Sequence, residues 1–253
     1  MRIKNNITRF IKQLCGTNQL YEQQQCLIKK LDNLTRVQSE LYYATKFHDS
    51  IVDSPWLKYK SFSLGEWAAD YRLMYTIFRT LNAEKPKNII EFGLGQTSKM
   101  IHQYAQYYHA CAITYEHDEN WIQFFNESKE GDYPINIKLT ELDNVLYKGY
   151  DTLTYKDCLQ SFADQKFDFI IVDGPFGSEH FSRSQLIELV ENNLSHRFCI
   201  IMDDYERLGE KETINEVERI LQSKTLDYRK IVYTAEKTHI LICSSDLEFL
   251  TTI

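Results

Sequence analysis

The chain has 253 residues, enough for one sizeable domain with a helical extension, and 43% of them are hydrophobic. Its formal net charge of −7 argues against non-specific binding to nucleic acid, which needs a basic surface. The six cysteines form no Cys-x-x-Cys pair, so we expect reduced thiols in a cytoplasmic protein and neither a zinc site nor a disulfide framework. No apolar run has the length of a signal peptide core or a membrane span, and we expect neither.

The N-terminal part of the chain contains a long segment, residues 19–47, without glycine or proline. Leucines recur in it at every seventh position, namely Leu20, Leu27, Leu34 and Leu41. The pattern predicts one long helix whose leucine stripe either forms a homodimer or packs on its own domain. Gln24 and Gln38 take alternate positions of the stripe, which weakens a zipper. We predict a helical extension over residues 1–60 and a main domain over residues 61–253.

A second helix is predicted over residues 64–81, ahead of the helix breaker at Pro86. One of its faces carries large side chains, from Trp67, Tyr71, Met74, Tyr75 and Phe78. We expect this face to lie in the core. The alternative is that Trp67 or Tyr71 closes over a bound ligand.

After residue 88, apolar segments of strand length alternate with helical segments. Strands are predicted at residues 89–92, 110–116, 135–139, 168–173, 198–203, 228–233 and 238–243. Helices are predicted to begin near residue 97 and to cover residues 119–125, 184–193 and 212–221. This alternation predicts an α/β fold with a parallel sheet covered on both faces. The short link between the last two strands makes them antiparallel to each other.

A glycine turn follows the first of these strands. The strand ends at Phe92, and Gly93 and Gly95 then allow the backbone to turn sharply and approach a bound molecule. Thr97 or Ser98 can cap the helix that follows. Such a turn at a helix N-terminus is typical of nucleotide-binding sites in α/β proteins.

Acidic residues around the turn narrow the choice of nucleotide. Glu116 ends the second strand, about twenty residues beyond Gly95, where a carboxylate can accept ribose hydroxyls. Glu91, just before the turn, can hold the ammonium of a methionine tail, and Ser98 replaces the third glycine of Gly-x-Gly-x-x-Gly. Both details favour S-adenosylmethionine. The open alternatives are an NAD-dependent oxidoreductase on a Rossmann-type domain and a non-catalytic nucleotide-binding scaffold.

From Glu91 to its end, the chain resembles a class I S-adenosylmethionine-dependent methyltransferase. It is similar to the glucuronoxylan glucuronic acid O-methyltransferases and their bacterial polysaccharide-associated relatives. The matching motifs are Phe92-Gly93-Leu94-Gly95 with Ser98 and Met100, Glu116-His117-Asp118-Glu119-Asn120-Trp121, Val172-Asp173-Gly174-Pro175 with Gly177, Asp204-x-Glu206-Arg207 with Glu210-Lys211, and His239. Asp203 departs from the plant enzymes of that family, in which we expect a histidine.

The resemblance implies a Rossmann-like sheet, mostly parallel with an antiparallel last strand, in a methyltransferase domain over residues 61–253. It implies O-methylation of a sugar or another small polar or acidic acceptor, in surface polysaccharide (capsule) modification. The implied cofactor-binding residues are Glu91, Gly93 and Gly95 at the methionine part, with Thr97 and Ser98 beside them, Glu116 at the ribose, His117 and Asn144 at the adenine, and Asp173 at the methyl group. We expect no nucleic acid among its partners and no membrane span in the chain.

Three aspartates follow the fourth and fifth strands. Because those strands are adjacent, Asp173, Asp203 and Asp204 should converge, and their oxygen atoms would suit Mg²⁺ or Mn²⁺. The catechol-type O-methyltransferases carry metal-binding acids at these strand ends. The alternative is that Asp173 orients the cofactor while Asp203 or Asp204 caps the next helix.

A sugar hydroxyl needs a base or a metal ion before it reacts. His180 and His239 are the candidate bases, with His239 expected to approach Asp204 from the start of the last strand. Arg183 and Arg207 are the candidates for binding an acidic acceptor, or else form ordinary surface ion pairs. The predicted catalytic set is therefore His180, Asp204, Arg207 and His239.

Overall fold

A central sheet with helices on both faces organises the chain. The computed structural model describes residues 17–65, 68–160, 162 and 165–252. The helices are α1 (Thr17–Ile51), α2 (Tyr71–Glu84), α3 (Gln96–Tyr108), α4 (Glu119–Ser128), α5 (Gln185–Asn193) and α6 (Leu208–Ser223), with a 3-10 helix at Ser245–Thr251. The strands are β1 (Asn88–Phe92), β2 (Cys111–Glu116), β3 (Ile137–Leu139), β4 (Leu142–Tyr147), β5 (Tyr150–Tyr155), β6 (Phe167–Val172), β7 (Leu194–Met202), β8 (Tyr228–Thr234) and β9 (Thr238–Ser244).

The sheet contains seven strands in the order β3-β2-β1-β6-β7-β9-β8. The pairs β1–β2, β1–β6, β2–β3 and β6–β7 are parallel, whereas β9 runs antiparallel to both of its neighbours. This topology confirms the predicted α/β fold, a mostly parallel Rossmann-like sheet with an antiparallel last strand. The strand order reverses between β1 and β6, which is where ligands bind in sheets of this kind.

Both faces of the sheet are buried under helices. Successive residues of a strand point to opposite faces, so each strand contributes to both cores. In β1, Ile89 packs in a cluster with α2 and α3, whereas Ile90 and Phe92 pack in a second cluster with α5 and α6. The same alternation directs Glu91, which is fully buried, to the face of Ile89. One core therefore lies on each side of the sheet, and Glu91 is a carboxylate inside the first of them.

The hairpin of β4 and β5 forms a separate two-stranded sheet, which was not predicted from the sequence. Lys148 and Gly149 make its turn with φ angles of 49° and 89°, the left-handed backbone that tight hairpins require. Asn144 is a residue that the resemblance implies at the adenine. It lies in β4, where it is exposed.

Helix α2 begins later than predicted, at Tyr71 instead of residue 64. Asp70 sets this start as its N-cap, since the carboxylate accepts a hydrogen bond of 2.7 Å from the Leu73 amide. Met74 is buried, as expected for a core face, and Tyr71 is half-buried. Trp67 lies outside the described residues.

Helix α1 joins the core only through its last turns. Phe47 and Ile51 belong to the first core cluster, and so do Trp56 and Leu57 in the segment that follows. Side chains from both sides of the predicted boundary at residue 60 therefore share this core. No helix within the described ranges has both the length and the apolarity that crossing a membrane requires.

Candidate active site

A cavity of about 1030 Å³ opens at the carboxyl ends of β1, β2, β6 and β7. Its wall contains the glycine turn, Glu116, Asp173 and Asp204, which end or follow those strands. The segment before α2 and the turn between β8 and β9 also contribute to the wall. The fold thus places the predicted nucleotide turn and three of the predicted acids around one space.

The glycine turn needs its two glycines for different reasons. Gly93 has a φ of 99°, and a Cβ there would stand 2.7 Å from the Asp173 carbonyl oxygen. Gly95 is the N-cap of α3, and a Cβ there would meet no atom within 4 Å. Gly93 therefore closes the contact between β1 and β6, while Gly95 leaves the helix N-terminus open to the cavity.

Glu116 holds the turn from the neighbouring strand. One carboxylate oxygen accepts the Leu94 amide at 3.1 Å, and the other accepts the amides of His117 at 2.6 Å and Asp118 at 3.0 Å. The His117 ring lies against the same carboxylate, with Nδ1 at 2.8 Å. Both Glu116 and His117 line the cavity, so the pair is placed to meet a ligand lying over the turn.

Glu91 does not line the cavity, contrary to the expectation that it contacts the cofactor. Thr97 donates a hydrogen bond of 2.5 Å to one of its oxygens, and Thr114 donates one of 2.7 Å to the other. Burial raises the pKa of the Glu91 carboxyl to about 7, against the lowering effect of these hydroxyls. Thr97 does line the cavity. Glu91 therefore acts on the site through the Thr97 side chain.

Ser98 is likewise buried behind the turn and is not part of the cavity wall. Its hydroxyl oxygen accepts a hydrogen bond of 2.9 Å from the Gly95 amide. The residue that replaces the third glycine of a dinucleotide motif is thus a structural support of the turn.

Arg183 lies at the centre of the acidic residues beyond β6 and β7. Its guanidinium donates to the Asp204 carboxylate at 2.8 Å and to the Asp203 carbonyl oxygen at 2.9 Å, and it lies 3.6 Å from the Asp173 carboxylate. The side chain is only 3% exposed. Arg183 is therefore neither a surface ion pair nor free to bind an acceptor, and it holds the ends of the two strands together.

The structure brings Asp173, Asp203 and Asp204 together, with one carboxylate oxygen of each within 4.8 Å of the others. The set does not fit a metal site, however. The Oδ2 atom of Asp204 already contacts Arg183 at 2.8 Å and Arg207 at 3.0 Å, and these two adjacent cations would repel a divalent metal ion.

Asp203 is buried and is not part of the cavity wall. Burial and the nearby charges of Asp173 and Asp204 raise the pKa of its carboxyl well above the usual range. Among the described residues, neither of its side-chain oxygens has a hydrogen-bond partner, and the Lys237 ammonium lies 3.8 Å away. The expected divalent metal is therefore not supported.

The two histidines predicted as bases both lie away from the cavity wall. The Nδ1 atom of His180 contacts Glu212 at 3.1 Å, and its ring stacks on Tyr150 of the hairpin. His239 is fully buried, with Nε2 at 3.2 Å from the Thr76 hydroxyl of α2, and burial lowers its pKa to about 3. The register of β9 explains the second error, because it directs His239 into the core instead of toward Asp204.

Among the described residues, four cations line the cavity, namely Lys99, Arg183, Arg207 and Lys237, and the first two are buried. Arg207, which was predicted to bind an acidic acceptor, lines it with a half-exposed side chain that contacts Asp204. Lys237, in the turn between β8 and β9, lines it as well and was missed. A lysine in a hairpin turn gives no sequence signal, since its proximity to Asp203 arises only when β9 pairs with β7.

Other wall residues also escaped sequence reasoning. Trp121 of α4 donates a hydrogen bond of 2.7 Å from its indole nitrogen to the Leu94 carbonyl oxygen, and Tyr155 comes from the unpredicted hairpin. Asn144, which was predicted at the adenine, is not in the wall. Trp121 could have been recognised from the sequence, because it is the last residue of the motif that begins at Glu116.

No protein-family model and no curated protein matches this chain. Among solved structures, it is similar to a methyltransferase from Podospora anserina with bound S-adenosylhomocysteine (15% identity, TM-score 0.44, 84% of this chain and 88% of that chain). It is also similar to a putative caffeoyl-CoA O-methyltransferase from Staphylococcus aureus (15%, 0.44, 85% and 98%). A third is a precorrin-6y C5,15-methyltransferase from Geobacter metallireducens (12%, 0.43, 73% and 94%). At these values the likenesses assign neither an activity nor a substrate to the chain.

Proposed function

We propose that the chain is an S-adenosylmethionine-dependent O-methyltransferase acting on an acidic sugar or a similar small acidic acceptor. The observation that carries the proposal is the single cavity that joins the glycine turn and Glu116 at one side to Asp173, Arg207 and Lys237 at the other. Its volume of about 1030 Å³ lies at the upper end of the usual range for one small ligand. A cofactor and an acceptor can therefore occupy it together.

The turn side of the cavity fits the cofactor. The open space beside Gly95 would receive the methionine part at the N-terminus of α3, with the Thr97 hydroxyl beside it. Glu116 would accept the ribose hydroxyls, and His117 would lie at the adenine. Glu91 would hold the Thr97 hydroxyl in place, since its carboxylate accepts a hydrogen bond from it.

The opposite side fits the acceptor. The cofactor supplies a sulfonium methyl group, which passes to the acceptor oxygen while the sulfur keeps the electrons of the broken bond. Asp173 lies at this point of the wall and would take the proton of the acceptor hydroxyl. Burial raises the pKa of its carboxyl, although Arg183 opposes the effect, and a raised pKa suits a proton acceptor.

Arg207 and Lys237 support an acidic acceptor, since both cations lie at the cavity wall of a chain with a net charge of −7. A uronate or a phosphorylated sugar would pair with them and present a neighbouring hydroxyl to the methyl group. The sequence resemblance to glucuronic acid O-methyltransferases supports the uronate and a role in surface polysaccharide modification.

The proposal is tested by following S-adenosylhomocysteine release with a panel of acceptors, with and without a metal chelator. The panel pairs each uronate, nucleotide sugar or sugar phosphate with its neutral counterpart. We expect turnover with an acidic member that the chelator leaves unchanged. Preference for the neutral members would refute the acidic acceptor, and loss of turnover with the chelator would refute the metal-free site.

A further inference from the structure

The first half of α1 does not pack against the domain. From residue 19 to residue 38 every residue of this helix is exposed to solvent. The four leucines of the stripe, Leu20, Leu27, Leu34 and Leu41, are between 63% and 66% exposed. The alternative in which the stripe packs on its own domain is therefore wrong.

The stripe also faces away from the domain to which the helix is attached. Tyr43 and Phe47 are buried where α1 meets the domain. Leu41 precedes Tyr43 by two residues, so the two side chains point about 200° apart around the helix axis. The domain thus covers one side of α1, and the leucine stripe continues along the other side as far as that contact.

An isolated helix with such a stripe is not expected to stay uncovered in water. Helices gain most of their stability by packing an apolar face, and large exposed apolar patches mark interaction sites. Nine large hydrophobic side chains of α1 are exposed, namely Leu20, Tyr21, Leu27, Ile28, Leu31, Leu34, Val37, Leu41 and Tyr42. Their burial would remove on the order of 500 Å² of apolar surface per chain from water, a large part of the about 800 Å² per partner in a stable interface.

We propose that this stripe is a homodimer interface, with the same stripe of a second copy of the chain as its partner. The seven-residue leucine spacing is the repeat that lets two identical helices wind around each other. Glu22, Lys29 and Arg36 each follow a stripe leucine by two residues and so lie on the opposite side of the helix, whereas Lys30 flanks the stripe. The leucine and glutamine positions of the stripe itself carry no charge, so two copies meet there without charge repulsion.

The two glutamines in the stripe are compatible with this partner. Gln24 and Gln38 lie at the positions between the leucines, where a polar residue reduces stability and fixes the register and number of helices. Their amides can hydrogen-bond to each other across a pair of identical helices. A partner with an unrelated sequence would have to supply matching polar groups at the same spacing.

Sedimentation equilibrium of the full chain tests the proposal. We expect a species of twice the 30.0 kDa chain mass for the wild type, and a monomer for Leu27→Glu, which would place two carboxylates inside the interface. The matched control is Gln25→Glu, which adds the same charge two residues earlier on the opposite side and should leave the dimer intact. Circular dichroism and thermal unfolding check that both variants fold.

A monomeric wild type at tens of micromolar, or a dimer that Leu27→Glu leaves intact, would overturn the proposal. Dissociation by Gln25→Glu as strongly as by Leu27→Glu would also overturn it, because the effect would then come from charge and not from the stripe. The outcome is independent of the proposed enzymatic activity, since neither residue is near the cavity wall.

Discussion

Gly93 lies against the backbone of Asp173 so closely that no Cβ fits between them, because a Cβ would stand 2.7 Å from the Asp173 carbonyl oxygen. The contact joins the end of β1 to the end of β6, the two strands between which the order of the sheet reverses. It sets the distance between the nucleotide turn and the proposed proton acceptor.

The two glycines of the turn should respond to substitution in opposite ways. Gly93→Ala would place a Cβ against the Asp173 backbone, at a residue whose φ of 99° is strained for alanine. We therefore expect a loss of unfolding free energy of about 1–3 kcal/mol. Gly95→Leu meets open space and should change stability by less than about 1 kcal/mol, while its side chain enters the cavity. Urea unfolding measures the first effect. A Gly95→Leu variant that binds S-adenosylhomocysteine as tightly as the wild type would show that the ligand does not lie over the turn.

The buried cation Arg183 should be essential for stability. Arg183→Met leaves the carboxylates of Asp173 and Asp204 without their buried partner, and we expect a loss of about 3–5 kcal/mol. Arg207→Met is the matched control, since Arg207 is 49% exposed and contacts the same Asp204, and its loss should stay within about 1 kcal/mol. Equal losses in urea unfolding would contradict the role given to Arg183.

Arg207 and Lys237 should affect binding of the acceptor and not of the cofactor. In Arg207→Met and in Lys237→Met, we expect the KM for an acidic acceptor to rise about tenfold or more, the equivalent of one lost charged contact. The KM for S-adenosylmethionine should stay within about twofold. Steady-state kinetics with each substrate varied in turn measures both values. A rise confined to the KM for S-adenosylmethionine would place these cations at the cofactor side of the cavity and contradict the proposed acceptor contact.

Glu91 should make stability depend on pH. Its pKa is about 7 in the folded chain and 4.5 as the ordinary value, so the folded state holds a proton that the unfolded state releases. The stabilisation is fully present below pH 4.5 and is lost as the pH rises through 7. Between these limits the wild type should lose up to ~3 kcal/mol more than Glu91→Gln, which cannot ionise. Parallel pH profiles of unfolding free energy for the two proteins would contradict this pKa.

His180 should be dispensable for turnover, because its ring contacts Glu212 and Tyr150 and not the cavity. We expect His180→Gln to keep kcat within about twofold of the wild type, whereas Asp173→Asn should lower kcat by about 100-fold or more, as loss of a general base does. The assay is S-adenosylhomocysteine release at saturating acceptor. A large loss of kcat in His180→Gln would restore the histidine as the base.

The order of strands and helices was predictable because each carries a local signal. Apolar runs of strand length, the turn at Gly93 and Gly95, and the acid at the end of β2 are all visible within a few residues of sequence. The hairpin was missed although Lys148 and Gly149 form its turn, since the polar strands on either side lack a continuous apolar run.

The side chains of the site were less predictable, because their environment depends on contacts between distant elements. Glu91 is adjacent to the turn in sequence, yet strand alternation directs it to the core, where Thr97 and Thr114 enclose it. His239 is turned inward by the register of β9. Lys237 reaches the cavity only through the pairing of β9 with β7. Position along a strand was readable, whereas the direction of each side chain was not.

Calorimetric titration of the full chain with S-adenosylhomocysteine and, separately, with NAD tests the central claim most directly. We predict that S-adenosylhomocysteine binds once per chain, that NAD gives no binding heat, and that Gly95→Leu abolishes the first signal. Binding of NAD in place of S-adenosylhomocysteine would contradict the methyl-donor site in favour of an oxidoreductase. Binding of neither ligand would contradict it in favour of a non-catalytic scaffold.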